Sequence, residues 1–324
     1  MNNELFICMY HYTRDISFSR YPGIKGMNYD EFEEQLIFFR DKFNVVTMED
    51  VLRSFEGYSL PKNPLLLTFD DGYIDNFNIA YPLLKKYGFQ GSFFISGKPL
   101  TDNTVLDVNK IHFILASEDS KTIMSDLLEL IEEYRNEYGN SLDNSKVLYE
   151  KYAIESRLDD KDTIFIKRML QTILPEEMRM IICDILFKRY VGLSEAAFSR
   201  ELYLNRNQIR CMYNDGMFIG VHGYNHQWLG KMPQDAMEKD ICKSLEVLEE
   251  FIDKEKWVMN YPYGSYNDSV IKFISNKGCK MALTTEVNCA EVSNKNRYIV
   301  PRLDCIDFPP RSDNYQRYYG GQIV

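Results

Sequence analysis

The sequence predicts an α/β fold, a parallel barrel interrupted by one long helical insertion. Strand and helix patterns alternate up to about residue 102, the alternation resumes after residue 212, and the stretch between carries only helical periodicity. Residues 4–10 are apolar and β-prone, and residues 29–43 place Phe32, Leu36, Phe39 and Phe43 at helical spacing. A short strand at 45–47, a helix at 49–55, a strand at 65–69, a helix at 76–87 stopped by Gly88, and a strand at 92–95 follow. Beyond residue 212 come a strand at 217–221, a helix at 233–252, a strand at 257–260, a helix at 269–277 ended by Gly278, and a strand at 281–284. Each helix between two strands returns the chain to the end where it started, so the strands are expected to be parallel.

Between 103 and 212, Ile123, Leu127, Ile131, Tyr134 and Tyr138 form one helical stripe. Pro175-Glu176-Glu177 opens a second helix bearing Met178, Ile182, Ile185 and Leu186, with proline in the first turn and acids against the macrodipole. The expected organisation is a barrel of residues 1–102 and 213–324 with a mostly helical insertion, 103–212, folded over one end. No Gly/Ser-rich or Pro-rich linker, low-complexity tract or internal repeat interrupts it.

Composition excludes several classes of function. The 324 residues carry 38 Lys plus Arg against 48 Asp plus Glu, a net charge of −10, and no basic stripe, which argues against a nucleic-acid partner. Apolar residues at 45% and charged residues at 27% are globular values that rule out disorder and fibres. The first ten residues have an acid where a signal peptide needs basic groups, and no apolar run approaches the ~18 residues of a transmembrane segment, so the chain reads as soluble and cytoplasmic. Seven cysteines without a CxxC pair read as reduced, mostly buried thiols rather than a disulfide frame or a cysteine zinc site. The sequence is silent on oligomeric state.

Two strand exits carry chemistry. Leu65-Leu66-Leu67-Thr68-Phe69 ends abruptly in Asp70-Asp71-Gly72-Tyr73, and C-terminal strand ends face the active site in parallel α/β folds. Adjacent carboxylates can divide labour, one binding a cation while the other takes protons from a water; a helix cap is the plainer alternative for either. Met217-Phe218-Ile219-Gly220-Val221 runs into His222-Gly223-Tyr224-Asn225-His226, two of only four histidines in the chain, spaced so that both rings reach one ion from a single turn. Position 223 is glycine, so this is not the metalloprotease HExxH helix. One carboxylate and two imidazoles leave coordination positions open, the mark of a catalytic ion site. One divalent metal ion is expected, zinc first, with cobalt, nickel and iron also accepting these donors. His112, set among Ile111, Phe113, Ile114 and Leu115, reads as packing.

These motifs resemble the polysaccharide deacetylases of carbohydrate esterase family 4, the NodB homology group. Thr68-Phe69-Asp70-Asp71-Gly72 is similar to the first family motif, His222-Gly223-Tyr224-Asn225-His226 to the second, and Tyr261-Pro262-Tyr263-Gly264 to the core of the third. The resemblance covers about residues 4–100 and 213–308 and implies a distorted (β/α)7 barrel. It implies that Asp71, His222 and His226 bind the metal, that Asp70 is the general base, and that the backbone N–H of Tyr263 is an oxyanion donor. The family's late Leu-x-x-His motif is missing, because no histidine follows His226. Met9-Tyr10-His11-Tyr12 instead resembles the N-terminal histidine motif of the circularly permuted branch that includes poly-N-acetylglucosamine deacetylases, which makes His11 the implied acid. First and last strands are neighbours in a closed barrel, so His11 can fill the place of a C-terminal histidine.

The family's third motif carries an arginine on the base where this chain has Asn260, leaving Arg302 or Lys280 to supply that charge and Asp304 to orient His11. The implied function is metal-dependent removal of an N-acetyl group from an amino sugar or glycan precursor in surface-polysaccharide assembly, with an N-acetylated saccharide on a nucleotide or lipid carrier as the leading substrate. Two other readings keep the motifs: hydrolysis of a non-sugar amide, and a non-catalytic glycan-binding homologue.

Overall fold

The computed structural model describes residues 4–138, 142–155 and 159–318, and the chain forms two compact units. One comprises the described residues of Met1–Asp15, Gly26–Asn103 and Arg200–Val324, the other Ile16–Lys25 and those of Thr104–Ser199.

The first unit is the barrel. Its strands are β1 (Glu4–Tyr10), β2 (Pro64–Phe69), β3 (Gly91–Ile95), β4 (Phe218–Val221), β5 (Val258–Asn260), β6 (Met281–Val287) and β7 (Val300–Asp304). Each pairs in parallel with the next, and β7 pairs in parallel with β1, closing a seven-stranded ring. This is the distorted (β/α)7 barrel that the motifs implied. The closing strand β7 is missing from the sequence reading, since its Pro301, Arg302 and Asp304 are residues that ordinarily mark a strand edge. The expected strand at 45–47 reduces to the pair Asn44–Val45 beside β2. The helix expected over 76–87 is a π-helical turn, Asn76–Ala80, continued by an α-helix, Tyr81–Tyr87, and ended by left-handed Gly88.

Period-two alternation decides what each strand offers the barrel's centre. Phe6, Cys8 and Tyr10 of β1 and Leu65, Leu67 and Phe69 of β2 pack outward with the helix residues Phe32, Leu36, Phe39 and Leu84. Leu5, Ile7, Leu66, Phe94, Val258, Leu283 and Val300 form a separate inner cluster. Extending the inward files past the C-terminal ends of the strands leads to His11 just after β1, Thr68 on β2 and Asp70 just after it, His222 just after β4, Asn260 on β5 and Arg302 on β7.

The second unit is helical. Ile123, Leu127 and Ile131 on Ser120–Tyr138 bury together with Met178, Ile182 and Leu186 on Glu176–Tyr190, as their spacing predicts. His112 is half-buried on Asp107–Ser117. This unit ends at Ser199 rather than at residue 212, because the helix Arg206–Asn214 packs Ile209 and Met212 into the outer core of the barrel. All seven cysteines are free thiols; Cys8, Cys183, Cys279 and Cys305 are buried and Cys211 is exposed. Among the described residues no helix is long and apolar enough to cross a membrane.

Candidate active site

Asp71, His222 and His226 meet at the C-terminal ends of β2 and β4, all three buried. Asp71 Oδ1 lies 3.2 Å from His222 Nε2 and 3.3 Å from His226 Nε2. Donors about 2.1 Å from one ion at tetrahedral or octahedral angles are separated by about 3.0–3.4 Å, which both Asp71–imidazole distances match, and all three ligand atoms lie within 4.8 Å of one another. Asp71 Oδ1 is also buried without a hydrogen-bond partner among the described residues, a costly state for a carboxylate oxygen unless a cation satisfies it. The donor set fits the implied ion, although it does not select among zinc, cobalt, nickel and iron.

Local backbone conformation makes the convergence possible. Five described non-glycine residues have positive φ, and three of them are Asp71 at 70°, His226 at 55° and Tyr263 at 57°. Each costs about 1–3 kcal/mol, and such strain concentrates where side-chain aim matters more than stability. The two imidazoles therefore do not share a helical turn, as their spacing suggested; they are joined by an irregular loop. Gly223, at φ 70°, permits it, because a Cβ there would approach Asp240 Oδ1 to 3.2 Å and Pro262 Cγ to 3.4 Å. Buried Asp240 accepts from the backbone N–H groups of Tyr224 at 2.8 Å and Asn225 at 2.9 Å, fixing the loop before His226. Sequence reasoning missed Asp240, since one acid on an amphipathic helix sends no separate signal. His222 Nδ1 lies 2.8 Å from the Asn260 carbonyl, and a proton on Nδ1 there would leave Nε2 as the metal-facing lone pair.

The second carboxylate has a different environment. Arg302 holds Asp70 in a fork, Nη1 to Oδ1 and Nη2 to Oδ2, both at 2.9 Å. Its remaining donors go to the Thr284 carbonyl at 2.9 Å, Thr68 Oγ1 at 3.1 Å and Asn260 Oδ1 at 3.0 Å. Burial pushes the Asp70 carboxyl up, but Arg302 and then His11 outweigh it, and its pKa falls below the usual carboxylate range. The charge facing Asp70 thus comes from Arg302 and not from Lys280, which precedes β6 at the opposite end of the barrel. Asn260, standing where the family has its arginine, supports that guanidinium instead.

His11 Nε2 lies 3.7 Å from Asp70 Oδ2, and its side chain is 38% exposed. The imidazole thus stands beside the Asp70 carboxylate, just past the C-terminal ends of β1 and β2. Asp304 does not orient His11; it caps the turn Cys305–Asp307, accepting from Ile306 N at 3.1 Å. The half-buried Tyr263 ring stacks on Trp228, with centroids 4.3 Å apart, and meets the edge of His226 at 4.7 Å. Trp228 carried no sequence signal, being a lone aromatic after the second histidine.

The geometry defines a (β/α)7 barrel with three residues able to hold a cation, a separately tuned carboxylate and a histidine gathered at one end. The chain belongs to the polysaccharide deacetylase family, whose sequence model matches residues 57–140 and 175–282, more than half of its length. His11 and Arg302 lie outside the matched stretches. The curated protein YxkH of Bacillus subtilis (strain 168), grouped by name with the polysaccharide deacetylases, is 33% identical over 99 residues, which span 30% of this chain and 33% of YxkH. Similar folds occur in the Streptococcus pyogenes deacetylase PplD, solved in complex with acetate (TM-score 0.58, 19% identity, 98% of each chain covered). A de-N-acetylase from Aggregatibacter actinomycetemcomitans (TM-score 0.56, 16% identity) is covered over 99% of its chain and 96% of this one. IcaB from Ammonifex degensii (TM-score 0.54, 16% identity) is covered over 96% of each chain.

His222→Ala is expected to abolish stoichiometric metal binding, measured by atomic spectrometry after dialysis. Retention of one ion per chain would remove His222 from the ligand set.

Proposed function

We propose that this chain is a metal-dependent hydrolase that removes the N-acetyl group from an amino sugar, in a glycan or a glycan precursor destined for surface polysaccharide. The observation that carries the proposal is the convergence of Asp71, His222 and His226 beside an ionised, arginine-held Asp70 and a reachable His11. An amide resists hydrolysis because its carbonyl is a weak electrophile and its nitrogen a poor leaving group, so a catalyst must activate water, hold an oxyanion and protonate nitrogen.

Asp71, His222 and His226 would hold the cation, which when bound supplies Lewis acidity toward a water and the acetyl carbonyl. Asp70 accepts a proton from the water as its oxygen attacks the carbonyl carbon, and Arg302 keeps the carboxylate ionised and in place to do so. The Tyr263 backbone N–H donates to the oxyanion, an interaction of about 3–4 kcal/mol in comparable sites. His11, protonated, gives its proton to the amide nitrogen; the C–N bond breaks, and acetate and the free amine leave.

Acetate release from N-acetylglucosamine oligomers and from a nucleotide-linked N-acetyl sugar, in metal-replete protein, tests the proposal. No acetate from any N-acetylated saccharide, with hydrolysis of a cyclic amide instead, would overturn it. His11→Ala should slow N-acetyl hydrolysis by about 10²–10⁴, the usual worth of a positioned proton donor. The same variant should spare an activated aryl acetate, whose leaving group needs no proton. Equal losses on both substrates would show that His11 does not act as the acid.

A further inference from the structure

Asp71 has two oxygens with different fates. Oδ1 faces both imidazoles and has no hydrogen bond among the described residues, whereas Oδ2 accepts from the hydroxyl of Tyr73, two residues on. A carboxylate free at both oxygens can pivot about its Cβ–Cγ bond and meet a cation through either oxygen or both. One whose second oxygen is engaged offers a single directed lone pair.

Tyr73 is held so that it can do this. It is fully buried, its ring stacks on Tyr12 with centroids 4.1 Å apart, and on the other side it lies near-parallel to Tyr203 at 6.1 Å. Its backbone bridges to Tyr203, and the preceding Gly72 carbonyl accepts from Leu204 N at 2.9 Å. The single phenolic proton of Tyr73 goes to Asp71 Oδ2. A core phenol needs only some acceptor; this one is spent on the oxygen that would otherwise compete with Oδ1 for the cation.

We propose that Tyr73 is a positioning residue, which aims Asp71 Oδ1 at the cation from a rigid tyrosine stack and thereby sets metal affinity. The proposal rests on the metal reading of Asp71, His222 and His226.

Titration of metal-free full-length wild type and Tyr73→Phe with Zn²⁺ against a competing chelator tests it, because phenylalanine keeps the ring stack and removes only the hydroxyl. The dissociation constant is expected to rise about 10–100-fold, the usual effect of losing a hydrogen bond behind a ligand. The thermal midpoint of the metal-free protein should shift little, and the visible spectrum of the Co²⁺-loaded variant should change as Asp71 regains a second free oxygen. Tyr12→Leu, which removes the ring stacked on Tyr73, should weaken binding less but in the same direction, and it carries the test if Tyr73→Phe does not fold. Wild-type affinity and an unchanged cobalt spectrum in these variants would overturn the assignment while leaving the metal site intact. A wild type that binds no Zn²⁺ would overturn the metal reading, and this inference with it.

Discussion

Asp70→Asn should lower kcat for deacetylation by at least about a hundredfold, within the range of about 10²–10⁴ typical of a lost general base, while one ion per chain remains bound. The amide is nearly isosteric with the carboxylate and its oxygen still accepts from Arg302, but it has no basic site at neutral pH for a proton from water. Metal content is expected to persist because the three proposed ligands exclude Asp70: Asp71 Oδ1 faces both imidazoles, while both oxygens of Asp70 face Arg302. Steady-state acetate release and atomic spectrometry on the same preparation separate the two effects. A variant that keeps its ion and turns over within tenfold of wild type would remove Asp70 as the base.

Arg302→Met should cause the largest loss of stability of any substitution in the site, about 3–5 kcal/mol, because it leaves the buried Asp70 carboxylate without its partner. Arg302 is 1% exposed and uses all of its donor directions, so methionine also takes a donor from Thr68 Oγ1, the Thr284 carbonyl and Asn260 Oδ1. The double variant Asp70→Asn/Arg302→Met should be less destabilised than the sum of the single variants, since no ionised group is then buried alone. The pair's pH dependence follows from the depressed pKa of Asp70. Its stabilisation is present above the unfolded carboxylate value, about 3.9, and is lost as pH falls through the lower folded value. The stability gap between wild type and Arg302→Met should therefore narrow on acidification. Urea unfolding at neutral and acidic pH measures it; a gap below about 1 kcal/mol at pH 7 would mean that the fork is energetically idle.

Much of the site was legible because its chemistry sits at the ends of contiguous apolar runs. Leu65–Phe69 before Asp70-Asp71, and Met217–Val221 before His222, announce two strand exits by composition alone, and a barrel brings strand exits together. His11 entered only through the resemblance of Met9-Tyr10-His11-Tyr12 to a family motif, since one histidine after a strand sends no signal of its own. The source of the charge on Asp70 was not legible. Arg302 lies 232 residues from Asp70 in sequence, on a strand that its proline and charges disguise, and its distance from Lys280 along the chain says nothing about which end of the barrel each occupies. Asp304 looked suitable for His11 by neighbourhood, yet a local turn with unsatisfied N–H groups claims its carboxylate first.

Local pattern by itself determined the parallel barrel, the helical insertion, the acid pair and the histidine pair, because hydrophobic period and strand-end chemistry are properties of consecutive residues. The tertiary structure alone decided which oxygen of Asp71 faces the imidazoles, which cation restrains Asp70, and that Asp71, His226 and Tyr263 adopt left-handed backbone. These are matters of register between strands remote in sequence and of side-chain direction at strained turns, and both depend on ring closure, when β7 pairs with β1 and a single inward file from each strand is brought to the same centre.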